Sequence, residues 1–270
     1  SASSLSQEAE LLKALVETNS GTANVVGVQS VQRQMKTQFE ALGFKVAITE
    51  KNLFVAELEG SKDEFITFIS HSDTVFEPSS GFLKFEVSSD LKTASGPGVI
   101  DDKGGLVVGI FGIRHYLETV QKKPKYSLRF LISPSEETGS SEIEKQLLEY
   151  GNKSYAILGL EPSLDDGSII IKRRGNRWYK IRVTGKEAHA GRSHQDGINA
   201  CHELAIKLDR LQRLTDYKRN RTVSIGRMEG GKDKYNIVCG FAEAKVDTRF
   251  LDKKESLLLH KSVVEIVQKN

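Results

Sequence analysis

The chain has 270 residues, enough for one large domain or two ordinary ones and for a core that buries about 70% of the unfolded surface. Its 39 Lys and Arg nearly balance 36 Asp and Glu, and a net +3 with bases interleaved among acids argues against a dedicated nucleic-acid surface. Five Pro and no biased tract exclude a low-complexity or collagen-like chain.

Leu11, Leu12, Leu15 and Val16 recur at helical spacing and predict a first helix, which Asn19-Ser20-Gly21-Thr22 breaks. A second helix is predicted over about 26–42, closed by Gly43. Strands are predicted at 53–58, 65–69, 128–132, 155–160 and 169–171, and helices at 106–117 and 143–150. Helices alternating with apolar strands predict an α/β sheet with helices on both faces. From Trp178 the pattern changes. Residues 179–183 alternate as a half-buried strand does. A helix near 197–214, strands near 223–228 and 237–250, and a helix at 256–268 complete a β-α-β-β-α order, one strand short of a split βαβ unit. The domain boundary is expected at 173/174, with residues 1–173 in one domain and 174–270 in the other.

No run approaches the roughly 18 apolar residues of a membrane span. Cys201 and Cys239 are too few for a disulfide framework or a Cys-rich zinc site. A single disulfide stays open, and the compartment with it. The chain opens Ser-Ala-Ser rather than on Met, so cytoplasm, periplasm and exterior all remain open.

Four acidic or His-bearing clusters stand out. His71-Ser72-Asp73, Glu136-Glu137 and Glu161 each follow an apolar strand, and Asp101-Asp102 sits in a Gly-rich turn just before a helix. Ligands of open α/β sheets bind at the carboxyl ends of strands. A His and several carboxylates gathered there make a ligand set for zinc or manganese. Taken singly, each has an ordinary reading. His-x-Asp is a weak pattern, Glu136-Glu137 suits a helix start, Glu161-Pro162 suits a strand-end turn, and Asp101-Asp102 suits a loop. Four such clusters in one chain are harder to explain that way. No Gly-x-x-x-x-Gly-Lys-Ser/Thr is present, which argues against a phosphate-loop enzyme.

In sequence, these segments read His71-Ser-Asp73-Thr-Val, Gly-Pro-Gly-Val-Ile-Asp101-Asp102-Lys-Gly-Gly, Ser-Glu136-Glu137-Thr-Gly-Ser and Glu161-Pro-Ser. Together they resemble the di-zinc aminoacylase and carboxypeptidase family, which includes glutamate carboxypeptidase, acetylornithine deacetylase and succinyl-diaminopimelate desuccinylase. Glu17-Thr-Asn-Ser-Gly-Thr and Gly185-Lys-Glu-Ala-His189-Ala-Gly match as well, most closely the glutamate carboxypeptidase branch. The resemblance covers nearly the whole chain. It implies a three-layer αβα zinc-peptidase catalytic domain and an α+β, ferredoxin-like lid through which two subunits pair as a homodimer.

The resemblance also implies roles. His71 and Glu161 would bind one of two Zn2+ ions per complete subunit, and Glu137 the other. Asp101 would bridge both, its bond to Asp102 being cis. Asp73 would orient His71, and Glu136 would be the general base. His189 would stabilise the oxyanion in the partner subunit's site. Asn236 and Arg249 would hold the terminal carboxylate of a small peptide or N-acyl amino acid. The implied activity is hydrolysis of an amide bond by a metal-activated water, most readily releasing a C-terminal residue such as glutamate. N-acyl-amino-acid deacylation and dipeptide cleavage are the alternatives within the family.

The chain departs from the family at its end. The family's second-zinc His lies beyond this length, and His115, His194, His202 and His260 do not stand at strand ends. The expectation is a chain cut short of its C-terminal part, with one full zinc site and a crippled second one. From another class, a non-catalytic dimerising remnant is the competing reading. Cys201 and Cys239 are expected to pack as small apolar groups.

Overall fold

Ser6 opens the first helix, α1 (Gln7–Glu17), by accepting the Ala9 N–H on its hydroxyl, and Asn24 does the same for Gly27 at the start of α2 (Val25–Ala41). The computed structural model describes residues 5–90 and 92–269. After α2 come β1 (Lys45–Ile48), β2 (Phe54–Leu58), β3 (Lys62–His71), β4 (Glu86–Val87) and β5 (Ala94–Ser95). Then follow α3 (Lys103–Val120), β6 (Tyr126–Ser133), α4 (Glu144–Asn152) and β7 (Ser154–Gly159). Five strands form a mixed sheet in the order β1-β2-β6-β3-β7. β1–β2 and β2–β6 are antiparallel, whereas β3 lies parallel to β6 and β7.

Both faces of this sheet are covered. Phe54 and Phe130 point to one face and pack with Leu15 of α1, Met35 and Phe39 of α2, and Leu106 and Ile110 of α3. Phe39 meets Phe44, Phe54 and Phe130 at ring separations of 4.8–5.7 Å. Such aromatic pairs contribute about 0.5–1.5 kcal/mol each beyond their buried area. Val55 and Leu131 point to the other face, against Ile143, with Leu147 and Tyr150 of α4 alongside. Burial on both sides is why β2 and β6 read as nearly unbroken apolar runs.

Contacts divide the chain after Ser168, somewhat before the expected 173/174. The second unit contains β8 (Gly175–Thr184), α5 (Ala200–Gln212), β9 (Thr222–Gly230), β10 (Phe241–Phe250) and α6 (Lys253–Gln268). Its antiparallel sheet has the order β8-β10-β9. Ile181, Val223 and Val246 of the sheet pack with Leu204 and Leu208 of α5 and Leu259 and Val263 of α6. This is the β-α-β-β-α order read from the sequence.

Four expectations need correction. The strand expected at 169–171 does not form, and Ile169 and Ile171 are 87% and 95% exposed. Three apolar residues with no partner strand make no ladder. The strand expected from 237 begins only at Phe241, because 236–240 bonds to 185–190 instead. There Val238 donates to Ala188 O and Ala190 to Asn236 O, both at 2.9 Å. Cys201 and Cys239 are joined in a disulfide, with Cα atoms 5.7 Å apart, rather than packing separately. Charge is not evenly interleaved. From residue 169 onward there are 23 Lys and Arg against 12 Asp and Glu, a net +11, while residues 1–168 carry 16 against 24, a net −8.

No helix among the described residues is long and apolar enough to cross a membrane.

Candidate metal centre

The three parallel strands end level with one another. His71, the last residue of β3, faces Ser133, the last of β6. Leu160, just past β7, donates its N–H to Ile69 O at 2.9 Å. The residues that follow each strand therefore share one edge of the sheet. These are Ser72-Asp73 after β3, Glu136-Glu137 in a short 3-10 turn after β6, and Glu161 after β7. A fourth segment reaches the same edge at the start of α3, where Asp101 and Asp102 are joined by a cis peptide bond. Gly105 permits that approach. A Cβ there would stand 1.9 Å from Asp102 Oδ1 and 2.3 Å from Leu160 O.

His71 is fully buried. Its Nδ1–H donates to the Asp73 carbonyl at 3.0 Å and lies 3.3 Å from Asp73 Oδ1. Nε2 thus faces the site, 2.9 Å from Asp101 Oδ1 and 3.7 Å from Glu161 Oε1. Two sets of donor atoms come together, His71 with Glu136 and Glu161, and His71 with Asp101 and Glu137, each within 4.8 Å of one another. The structure therefore brings six of the expected site residues to one place: His71, Asp73, Asp101, Glu136, Glu137 and Glu161.

The electrostatics follow from the crowding. Burial pulls the His71 pKa down, but the Asp73 hydrogen bond, the charges of Asp102 and Asp73 and the Asp101 hydrogen bond more than offset it and raise it to about 10. Burial, then the charge of Asp101, pushes Glu137 up. Burial also pushes Asp73 up, yet hydrogen bonds from His71, Thr22 and the Glu136 N–H hold it below the usual carboxylate range. A site that favours a proton on a buried imidazole, beside a Glu137 carboxyl that resists ionising, is one a cation would stabilise. One imidazole with several carboxylates suits zinc and similar divalent ions, and a His held from behind by a carboxylate is the usual support for such a ligand. The residues fit a metal.

Asp102 stands behind the cluster. Its Oδ2 accepts from Ser70 Oγ at 2.5 Å and from the His71 N–H at 3.4 Å, and among the described residues Oδ1 has no partner. Burial raises its pKa to about 7.

The remaining expected residues, His189, Asn236 and Arg249, belong to the second unit. His189 Nδ1 accepts the N–H groups of Gly191 and Arg192 at 3.1 and 3.2 Å. The neutral ring therefore carries its proton on Nε2, as a donor. Asn236 lies beside it through the Ala190–Asn236 bond and the His189–Ile237 bridge. Arg249 is not brought to them. It sits near the far end of β10, roughly 25 Å from Phe241 at about 3.3 Å per residue. Its Nε and Nη2 donate to Asp247 at 2.8 Å each.

Sequence reasoning missed Ser70, Thr22 and Lys103. Ser70 adjoins one quoted motif, Lys103 lies within another, and Thr22 ends the Glu17–Thr22 segment, but their side-chain partners are far away in sequence.

The comparisons with known proteins agree with this geometry. The model for Peptidase family M28 matches residues 54–161, and the model for the Peptidase dimerisation domain matches 171–270. Carboxypeptidase G2 of Pseudomonas sp. (strain RS-16) is 26% identical over 273 residues, 95% of this chain and 63% of that protein. A succinyl-diaminopimelate desuccinylase of Rickettsia akari (strain Hartford) is 25% identical over 278 residues, 95% of this chain and 71% of that protein. Among solved structures, a tripeptidase of Staphylococcus aureus superposes with a TM-score of 0.78 at 22% identity, covering 97% of this chain and 70% of the tripeptidase chain. The fold is that of the solved peptidase structures it superposes on. Each part of the chain thus matches a peptidase model, and nearly its whole length is similar to carboxypeptidase G2 and the desuccinylases. The chain spans less than two thirds of the length of carboxypeptidase G2.

Proposed function

We propose that this chain belongs to a zinc-dependent hydrolase of peptide or N-acyl amide bonds, acting most readily as a carboxypeptidase that releases a C-terminal residue such as glutamate. The observation that carries the reading is the orientation of His71. Nδ1 is held by Asp73, and Nε2 is presented among Asp101, Glu161 and their neighbours. His71 and Glu161 would hold one ion, Glu137 a second, and Asp101 would bridge them. Metal bound there supplies Lewis acidity toward an amide carbonyl and makes water acidic near neutral pH.

The chain's own residues do the rest. Glu136 is exposed at the cluster and takes the proton of the attacking water, then passes it to the leaving nitrogen. His189 carries its proton on Nε2 and can donate to an oxyanion. Arg249 would hold the substrate carboxylate by exchanging its contact with Asp247, and Asn236, which stands beside His189 at the other end of β10, would reach that carboxylate only together with His189, from the partner's lid. His189 and Arg249 lie at opposite ends of β10, so one lid is poorly placed to offer both to a single small substrate. A homodimer in which each lid serves its partner with His189 resolves this. The net +11 of the second unit favours anionic substrates.

The test combines elemental analysis for zinc with hydrolysis of N-acyl-glutamates by the natural full-length protein. Glu136→Ala should retain metal and lose activity by several orders of magnitude. Retained turnover would refute Glu136 as the base, and absence of metal from the parent protein would refute the metal centre.

A further inference from the structure

The segment joining α1 to α2 has no role in the chemistry above, yet it is tied to the metal centre at both ends. Lys103, fully buried and two residues past Asp101, donates from Nζ to Thr18 O at 2.8 Å. Asn19 Nδ2 donates to Phe76 O at 2.9 Å, Thr74 N–H to Ser20 O at 2.9 Å, and Thr22 N–H to Thr74 O at 3.1 Å. The connector thus lies along the chain leaving β3. At its end, Thr22 Oγ1 donates to Asp73 Oδ2 at 2.7 Å.

Asp73 is completely buried and has four donors around it. Oδ2 receives Thr22 Oγ1 and, at 3.2 Å, the Glu137 N–H. Oδ1 receives the Glu136 N–H at 3.0 Å and faces His71 Nδ1 at 3.3 Å. A carboxylate offers about four lone-pair sites, so this one is saturated. It cannot rotate without breaking contacts to the His71 ring and to the turn that carries Glu136 and Glu137.

We propose that residues 18–22 act as a clasp, with Thr22 a positioning residue that fixes the Asp73 carboxylate and, through it, both His71 and the Glu136-Glu137 turn. This rests on the metal-centre reading and extends it. One buried carboxylate aligns ligands from two strands, and its orientation is set from a third place in the chain. Removing the Thr22 hydroxyl would leave the buried Oδ2 with the Glu137 N–H alone, at 3.2 Å, and loosen the carboxylate. Partners that orient metal ligands in this way typically change metal affinity about 10–100-fold when removed.

The test uses the 270-residue chain with Zn2+ competition against a chelating dye, Co2+ absorption as a report of ligand geometry, and amide hydrogen exchange on the metal-free chain. Thr22→Val, which keeps the shape and removes the hydroxyl, should weaken Zn2+ binding about 10–100-fold, alter the Co2+ spectrum and speed exchange at Glu136 and Glu137. Thr22→Ser should restore all three. A purely structural Thr22 would lower the melting temperature and leave the Co2+ spectrum unchanged. Wild-type uptake of Zn2+ with an unaltered Thr22→Val affinity and spectrum overturns the clasp alone. No uptake by the wild-type chain overturns the metal-centre reading and the clasp with it. If Thr22→Val does not fold, Thr22→Ser decides. Wild-type binding supports the clasp, and a tenfold loss overturns it.

Discussion

His71 Nε2 lies 2.9 Å from Asp101 Oδ1, which joins the last residue of β3 to the turn that opens α3. Asp101 thus meets the site-facing nitrogen of the buried imidazole, and it shares a donor set with Glu137. Asp101→Ala removes a ligand oxygen from both the His71 and the Glu137 sides. We expect that variant to lose bound metal altogether, as measured by elemental analysis after dialysis. Full occupancy in Asp101→Ala would sink the bridging role.

The charge crowding also sets a pH dependence for the metal-free chain. The folded His71 has a pKa of about 10, above its ordinary value, so its contribution to stability is complete below about 6.5 and lost as pH rises through about 10. Asp102 acts in the same direction at lower pH. Its pKa is raised to about 7, so protonation favours the fold and that contribution fades as pH rises from about 4 through 7. Urea midpoints in EDTA should therefore fall from pH 5 to pH 9, and saturating Zn2+ should remove or reverse the trend. A flat profile in EDTA would count against protonated His71 in the metal-free fold.

Much of this site could be read along the chain because strand ends announce themselves. Apolar runs such as 128–132 stop where Ser133-Pro134-Ser135 begins, and Glu136-Glu137 follows at once. Parallel pairing of β3 between β6 and β7 then gathers residues that sequence could place only one strand at a time. Contacts that depend on the path between elements were not legible. Thr22 and Asp73 are 51 residues apart, and Lys103 and Thr18 are 85 apart. The Cys201–Cys239 bond depends on α5 starting beside residues 236–240, which no local pattern encodes. β1 escaped notice because only four residues form it and its side chains are mostly exposed. Ile169 and Ile171 misled for the opposite reason, being apolar and β-prone without a strand to pair with.

Gly105 and Gly112 of α3 separate close packing from helix propensity. A Cβ at Gly105 meets the Asp102 carboxylate at 1.9 Å and a backbone carbonyl at 2.3 Å, and neither can retreat without moving α3 or the end of β7. Gly105→Ala should destabilise the chain by about 1–3 kcal/mol and weaken Zn2+ binding, because Asp102 adjoins Asp101. At Gly112 a Cβ meets nothing within 4 Å, and Gly112→Ala should stabilise the helix by about 0.4–1 kcal/mol. Urea unfolding of both variants checks the pair. Equal effects would mean that the close approach at Gly105 is not real.

The disulfide offers a last test, in the second unit alone. Cys201 opens α5 and Cys239 precedes β10, and their bond closes a loop across a separation of 38 residues. Cross-linking a loop of that size removes unfolded-state entropy equivalent to about 4 kcal/mol in the chain-entropy account. Residues 236–240, which carry Asn236 and bond to the His189 segment, lie directly at the cross-link. Cys201→Ser with Cys239→Ser should therefore lower the unfolding free energy of this unit by about 2–4 kcal/mol and raise hydrogen exchange around Ala188, Ala190 and Val238. Zn2+ binding by the first unit should be unchanged. Peptide mapping without reductant should recover the two cysteines as one linked pair. Recovery of two free thiols from protein made in an oxidising compartment would refute the bond itself.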